Sequence, residues 1–321
     1  MMIKKTALIT GISGQDGSLL TDLLLNNDYK VFGLVRPTSN IDNISHLLHN
    51  KNLNLIYGDL MNEDLLRYLL SSNQIDEIYN LASQSNVRLS YEHPRQTFEV
   101  TLMGTISLIE SVKDYSPKTK IFQAGSSAMF GNSCDEDGYQ REETSFNPIS
   151  PYASSKLFAH NICQNYRRNQ GLHIVNGILY NHESSKNKRS QGIIKTIAEK
   201  AVLVKNKKIN NFFIPDVTIQ IDFTHAKDCV DAMWTSMQQE VSGDYIIASG
   251  TVYSIEYICD YIFKSLDLDY KEYITSETQV QKNNFISKGD PSKIKNIGWV
   301  SKFTFQQLMD EVIEFEINKS N

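Results

Sequence analysis

The stretch that decides the fold is TALITGISGQDGSLLTDLLLNN, residues 6–27. Its first five residues are aliphatic or β-branched and predict a strand, and the leucines from residue 19 onward recur at helical spacing. Between the two, Gly11, Gly14 and Gly17 form a GxxGxxG turn. Glycines placed there let the backbone turn sharply and approach a diphosphate at the helix N-terminus. We therefore predict a dinucleotide-binding βαβ unit; the alternative is a tight loop without a ligand.

The alternation of strands and helices continues downstream of this unit. The strand patterns YKVFGLV, LNLIYGD, EIYNLAS, KIFQAGSS and HIVNGILYN are separated by helical segments. This predicts an α/β fold, a Rossmann-type doubly wound parallel sheet covered on both faces. After residue 180 the pattern loosens. We expect residues 1–180 to form an NAD(P)-binding Rossmann domain, to which 222–249 return, and 181–321 to form mainly a smaller C-terminal substrate-binding domain.

The composition indicates an ordinary globular protein and argues against several function classes. Of 321 residues, 40% are hydrophobic and 21% charged, and the net charge is −5. A chain without a long basic run is not expected to bind nucleic acid. We expect no membrane span, because no stretch of about 18 apolar residues is present, and no signal peptide in the short opening MMIKKTALIT. The four cysteines lack CxxC spacing, so we expect no metal, no disulfide framework and a cytoplasmic protein.

Two polar residues bear on the choice of cofactor. Arg36 follows the second predicted strand, where an Asp or Glu would bind a ribose 2′-hydroxyl. Arg36 could pair with a 2′-phosphate, which favours NADP slightly, or it could be a solvated cation or stack on adenine. Asp59 follows the third strand and could accept from the adenine amino group or cap the next helix. The cofactor is therefore predicted as NAD or NADP.

A serine, a tyrosine and a lysine suggest proton chemistry on a hydroxyl. Tyr152 and Lys156 are at positions i and i+4 of one predicted helix, so their side chains lie on the same face. An ammonium near a phenol lowers the pKa of the phenol, as a tyrosine general base requires. Ser126, at the end of the preceding strand, could hydrogen-bond the same substrate hydroxyl.

The chain resembles the extended short-chain dehydrogenase/reductase family and, within it, the GDP-mannose 4,6-dehydratase family. The resemblance spans nearly the whole chain and rests on TGISGQDGS, DEIYNLASQSNV, SPYASSKLFAH, NGILYNHES and HAKD. It implies that Tyr152 is the base, Lys156 its activator and Ser126 the third partner, with hydride passing from sugar C4 to the nicotinamide. It also implies that Asn181 contacts a nucleotide sugar and that Ser85 and Asn86 face the sugar; ordinary loop hydrogen bonds are the alternative.

Two sets of site residues are predicted on this basis. The cofactor set is Gly11, Gly14, Gln15, Asp16, Gly17, Arg36, Asp59, Leu60, Leu81, Ala82, Tyr152 and Lys156. The substrate set is Ser85, Asn86, Ser126, Ser127, Asn181 and Lys195.

The sequence departs from the family pattern at informative positions. Where the family has S-T-S-E-L-Y-G, this chain has GSSAMFG at 125–131, so Ala128 replaces the glutamate. In the dehydratases that acid moves the C5 proton so that water can leave from C6, and its loss would cost roughly 10²–10⁴-fold. Glu183 is a weak candidate to replace it. The family has arginines at two positions that are occupied here by Ile221, immediately before Asp222 and Phe223, and by Pro37. Lys195 and Lys282 could compensate only in part.

We favour a 4-dehydrogenase that converts a nucleotide-linked sugar to its 4-keto form without dehydration. The substrate is expected to be a nucleotide-diphosphate sugar of the GDP-mannose or GDP-heptose type. A working 4,6-dehydratase or a 4-reductase or 4-epimerase are the alternatives, and a non-catalytic partner subunit is a remote one. The resemblance further implies a homo-oligomer acting in capsule or surface polysaccharide biosynthesis.

Overall fold

The computed structural model describes residues 5–186, 192–276 and 286–320. The described chain contains thirteen strands: β1 Lys5–Thr10, β2 Tyr29–Val35, β3 Leu53–Tyr57, β4 Glu77–Asn80, β5 Lys120–Ala124, β6 Ile174–Leu179, β7 Asn181–Glu183, β8 Phe212–Phe213, β9 Gln220–His225, β10 Asp244–Ile247, β11 Val252–Ser254, β12 Ile274–Thr275 and β13 Ile286–Ser287. It also contains eleven α-helices: α1 Gln15–Asn26, α2 Glu63–Ser72, α3 Val87–Glu92, α4 Pro94–Phe98, α5 Gly104–Tyr115, α6 Pro151–Gln170, α7 Ile193–Lys205, α8 Ala226–Met237, α9 Ile255–Ser265, α10 Ser292–Asn296 and α11 Phe305–Ser320.

Seven strands form one fully parallel sheet in the order β10-β6-β5-β4-β1-β2-β3. The order reverses at β1, from which the chain winds outward first to β3 and then to β10. Apolar side chains from α1 and α8 cover one face of the sheet, and those from α2, α5 and α6 cover the other. The predicted doubly wound Rossmann-type fold is therefore confirmed. Ligands of such sheets bind beyond the carboxyl ends of the strands where the order reverses.

A smaller sheet follows the end of β6. Strands β7, β11 and β13 each pair with β9, the β11 pair being antiparallel. Helices α7, α9 and α11 pack beside it around a second apolar core. The chain returns to the large sheet with α8 and β10, whereas residues 222–225 lie in β9 of the small sheet. We keep a domain division near residue 180 as a proposal, which the change of sheet between β6 and β7 supports.

Among the described residues, no helix combines the length and the apolar character needed to cross a bilayer.

Candidate active site

The glycine turn between β1 and α1 is shaped by close backbone contacts. Gly11 has φ +70°, and a Cβ on it would lie 3.0 Å from the backbone nitrogen of Ala82. A Cβ on Gly17 would lie 2.4 Å from the carbonyl oxygen of Gly11. Gly14 is the N-cap of α1 and has no capping side chain, so the first N–H groups of the helix face the groove without an intrahelical partner. This bare, positively polarised cradle fits the diphosphate of a dinucleotide.

A cavity of about 820 Å³ opens beside this turn, between the large sheet and the small one. Every residue of the predicted cofactor set lines it: Gly11, Gly14, Gln15, Asp16, Gly17, Arg36, Asp59, Leu60, Leu81, Ala82, Tyr152 and Lys156. Its far wall is apolar and comes from the C-terminal part of the chain, with Ile214, Ile219, Ile221 and Ile255. A long ligand could therefore contact both parts of the molecule.

The predicted Ser126, Tyr152 and Lys156 all line this cavity. Tyr152 lies in the first turn of α6, whose N-terminus is capped by the Ser150 side chain. The Tyr152 hydroxyl forms a hydrogen bond with Ser126, which lies two residues after the end of β5. Lys156 is buried one turn further along, and its Nζ lies 5.9 Å from the centroid of the Tyr152 ring. The helix start, the strand end and the i, i+4 spacing thus place two hydroxyls and one amine together.

Burial affects the electrostatics of these groups. Burial raises the pKa of Tyr152, although the hydrogen bond with Ser126 and the charge of His182 act in the opposite direction. Burial also lowers the pKa of Lys156 to about 8, against the attraction of Asp16. The ammonium group donates to the Ala124 carbonyl oxygen at 2.8 Å. Burial thus dominates the pKa of both groups, and the lowering of the Tyr152 pKa by Lys156 stays a prediction.

A histidine that sequence reasoning did not single out also lines the cavity. His182, in β7, places Nε2 2.9 Å from the Asp16 carboxylate and Nδ1 2.6 Å from the Tyr180 carbonyl oxygen. Asp16 and His182 are 166 positions apart. Their pairing follows from the packing of the small sheet against the glycine turn, and no sequence pattern within either segment predicts it.

Glu183, the weak candidate for the missing acid, is committed to a structural contact. One carboxylate oxygen accepts from the backbone nitrogen of Ile194 at 3.1 Å and the other from that of Lys195 at 3.0 Å. A Cβ on Gly192 would lie 2.0 Å from Glu183 Oε2, so the carboxylate packs directly on this backbone. Glu183 therefore caps the N-terminus of α7, a favourable place for a negative charge.

The other carboxylates that line the described part of the cavity are engaged as well. Asp16 pairs with His182, the Asp59 carboxylate accepts from the backbone nitrogen of Met61, and the Asp216 carboxylate accepts from both the backbone nitrogen and the hydroxyl of Thr218.

Ala128 lies in the short 3₁₀ turn Ser127–Phe130, and its N–H donates to the Ser126 hydroxyl at 3.2 Å. Because Asp16, Asp59, Glu183 and Asp216 all have the contacts given above, the described lining contains no carboxylate without a structural partner, and Ala128 adds none.

The predicted substrate residues are only partly brought together. Ser85, Asn86, Ser126 and Asn181 line the cavity; the Asn86 side chain also caps α3. Ser127 and Lys195 are not among the lining residues, so the cavity gives their assignment to the substrate set no support and it stays a prediction. The Lys195 side chain is buried with its Nζ 3.9 Å from Glu316 Oε1, because α7 turns this face toward α11. Lys282 lies outside the described residues.

Comparisons with known proteins give a consistent result. The family model described as GDP-mannose 4,6 dehydratase matches residues 8–312. GDP-mannose 4,6 dehydratase 1 of Arabidopsis thaliana is 36% identical, over 98% of this chain and 90% of its own length. The GDP-mannose 4,6-dehydratase of Vibrio cholerae serotype O1 is 33% identical, over 99% of this chain and 95% of its own length.

Solved structures share the fold at lower identity. A Thermotoga maritima UDP-glucose 4-epimerase with UDP-glucose superposes with a TM-score of 0.86 at 19% identity, covering 98% of this chain and 100% of that one. A dTDP-glucose 4,6-dehydratase of Bacillus anthracis with NAD gives 0.84 at 22% identity, with 99% and 97% covered. The RMD protein of Pseudomonas aeruginosa with NADPH gives 0.81 at 18% identity, with 98% and 100% covered.

Proposed function

The chain belongs to the GDP-mannose 4,6-dehydratase family, and from this premise we propose that it oxidises C4 of a nucleotide-linked sugar without removing water. The substrate would be a nucleotide-diphosphate sugar, of the GDP-mannose or GDP-heptose type. The product would be the corresponding 4-keto sugar. The reverse reaction, in which a 4-keto sugar is reduced at C4, would use the same residues.

One observation carries the non-dehydrating part of this proposal. Elimination of water next to a ketone needs a group that removes the C5 proton, and the family pattern given above would place a glutamate at the position of Ala128. Glu183 cannot easily replace it, because both of its oxygens accept from the start of α7. The other described carboxylates of the cavity, Asp16, Asp59 and Asp216, are bound to His182 or to backbone groups. The hydride chemistry, by contrast, needs none of them.

The residues around the glycine turn fit NAD or NADP. Gly11, Gly14 and Gly17 leave the first turn of α1 open to a diphosphate, and Leu81 and Ala82 line the cavity next to Gly11. Arg36 lines the cavity at the end of β2 and is exposed, so it can reach a 2′-phosphate or the adenine face. When bound, the oxidised cofactor supplies a hydride acceptor and a positive charge.

The protein groups supply orientation and proton transfer. Ser126 and Tyr152 together hydrogen-bond the C4 hydroxyl, and Tyr152 takes its proton as the C4–H bond yields its hydride. Because burial raises the pKa of Tyr152 in the protein alone, the phenolate must be stabilised by positive charge in the complex. Among the described residues, Lys156 lies close enough to supply it, with Nζ 5.9 Å from the centroid of the Tyr152 ring.

The 4,6-dehydratase activity of the relatives is the second candidate, and their identity of 33 to 36% over nearly the whole chain favours it. The test is a mass spectrum of GDP-mannose and of a GDP-heptose after incubation with the protein and NAD or NADP. Loss of two hydrogens with formation of reduced cofactor supports the proposal. Loss of one water refutes the inference from Ala128.

Two variants sharpen this experiment. Tyr152→Phe should form neither product and serves as the inactive control. Ala128→Glu introduces the glutamate that the family pattern leads us to expect, at a half-buried position in the short 3₁₀ turn. Gain of a product that has lost water would support the assignment of the missing acid to this position. Homo-oligomeric assembly, a cytoplasmic location and a role in surface polysaccharide synthesis stay predictions.

A further inference from the structure

Asp16 creates an electrostatic problem in the groove where a dinucleotide would bind. It occupies the first turn of α1, two residues after the Gly14 N-cap. A helix N-terminus attracts anions through its open N–H groups and its dipole. A carboxylate fixed in that turn uses part of this attraction and repels a second anion, such as a diphosphate. An aspartate here therefore weakens the anion site unless its charge is compensated.

His182 lies where it can provide that compensation. Its Nδ1 is 2.6 Å from the Tyr180 carbonyl oxygen and its Nε2 is 2.9 Å from Asp16 Oδ2. A carbonyl oxygen and an ionised carboxylate can only accept, so both ring nitrogens must donate, and the ring is an imidazolium. Burial alone would lower the pKa of His182, but the attraction of Asp16 outweighs it and holds that pKa well above its usual value.

Further contacts fix the pair in place. The Gln15 amide donates both to Asp16 Oδ1 at 3.0 Å and to the His182 carbonyl oxygen at 3.2 Å, and its oxygen accepts from the Ser184 hydroxyl at 3.1 Å. The side chains of His182 and Asp16 are only 15% and 23% exposed. Partial burial weakens screening by solvent, so the balance of charge in the pair acts on any nearby ligand.

We propose that His182 is the built-in counter-ion of Asp16 and keeps the diphosphate-binding turn from carrying a net negative charge. Asp16 and His182 therefore act as one neutral unit that joins the first turn of α1 to β7 across the cofactor groove. This inference rests on the proposed dinucleotide binding and makes His182 a positioning residue for the cofactor.

The size of the effect follows from Coulomb's law. At the effective dielectric of a partly buried site, one uncompensated charge within about 5 Å of a phosphate changes affinity by roughly 10- to 100-fold. His182→Gln keeps a side-chain donor near Asp16 but removes the positive charge. Asp16→Asn removes the negative charge with the same shape. The double variant, with both His182→Gln and Asp16→Asn, has no charge at either position and no ion pair.

The experiment measures binding of NADPH and of NADH by nicotinamide fluorescence, with a thermal melt of each variant to verify folding. His182→Gln should weaken the tighter of the two cofactors by roughly 10- to 100-fold. The double variant should return to within about threefold of wild type, and Asp16→Asn alone should bind at least as tightly as wild type. His46→Gln is the matched control, because His46 Nε2 pairs with Asp22 Oδ1 at the same 2.9 Å outside the cavity.

Unchanged binding by His182→Gln, or a double variant as weak as His182→Gln, would overturn the inference while leaving the proposed function intact. If His182→Gln does not fold, weaker binding by Asp16→Asn overturns it. A folded wild-type protein that binds neither cofactor refutes both proposals.

Discussion

The variant Glu183→Gln tests whether the Glu183 carboxylate stabilises the fold or takes part in the reaction. Glu183 is 3% exposed, lines the cavity and neighbours Asn181 and His182, so its position alone would suit an acid or base. Its two oxygens, however, accept from the backbone nitrogens of Ile194 and Lys195 at the start of α7. We therefore expect Glu183→Gln to reduce stability and to leave the reaction product unchanged.

The magnitude follows from the contacts that the substitution breaks. The glutamine amide keeps one acceptor oxygen and turns its NH₂ group toward a backbone N–H, which loses a hydrogen bond to a charged group worth roughly 1.5–3 kcal/mol. The interaction of the carboxylate with the α7 dipole is lost as well. Because burial raises the pKa of Glu183, removing its charge also relieves a desolvation cost. A net loss of about 2 kcal/mol, or roughly 30-fold in the unfolding equilibrium, remains.

The assay combines chemical denaturation with the mass analysis of product. Glu142→Gln is the matched control, because its carboxylate accepts from the backbone nitrogen of Ile246 at 2.8 Å and does not line the cavity. Both variants should lose stability and keep the product mass of wild type. A loss of turnover of roughly 10²–10⁴-fold in Glu183→Gln, with unchanged stability, would mean that Glu183 transfers a proton. That result would refute its assignment as a helix cap.

Three further predictions follow from the same cavity. Tyr152→Phe should lower turnover by roughly 10²–10⁴-fold without weakening NADPH binding, measured by steady-state kinetics and fluorescence titration; retained turnover would contradict its role as proton acceptor. Because the pKa of Lys156 is lowered from 10.5 to about 8, its ammonium is lost above pH 8, and kcat/KM should fall there. Burying the Lys156 ammonium destabilises the folded protein by the full amount below pH 8, and this cost disappears as the pH rises toward 10.5. Lys156→Met should therefore raise the free energy of unfolding at pH 7 and no longer do so near pH 11, as measured by chemical denaturation; a lower free energy of unfolding at pH 7 would contradict this. Gly17→Ala should abolish cofactor binding in a titration, because its Cβ would meet the Gly11 carbonyl oxygen at 2.4 Å; tight binding by that variant would argue against a rigid turn.

The fold and the centre of the site could be predicted because their signals are local. The glycine turn, the alternation of strands and helices, and the four-residue spacing of Tyr152 and Lys156 are all set by backbone sterics and by periodicity within one segment. Ser126 joins them because the carboxyl ends of neighbouring parallel strands meet at one edge. The family pattern added the residues of the cofactor set, each of which lines the cavity.

What the sequence by itself determined, therefore, is the Rossmann-type sheet and the set of residues near its carboxyl edge that line the cavity. Only the tertiary structure decided that Glu183 caps α7, that Lys195 faces Glu316 on α11, and that His182 pairs with Asp16. It also decided that burial raises the pKa of Tyr152. The physical reason is common to all four. Desolvation and charge pairing depend on which distant segments pack together, and a one-dimensional pattern contains no information on distances between segments that are far apart in the chain.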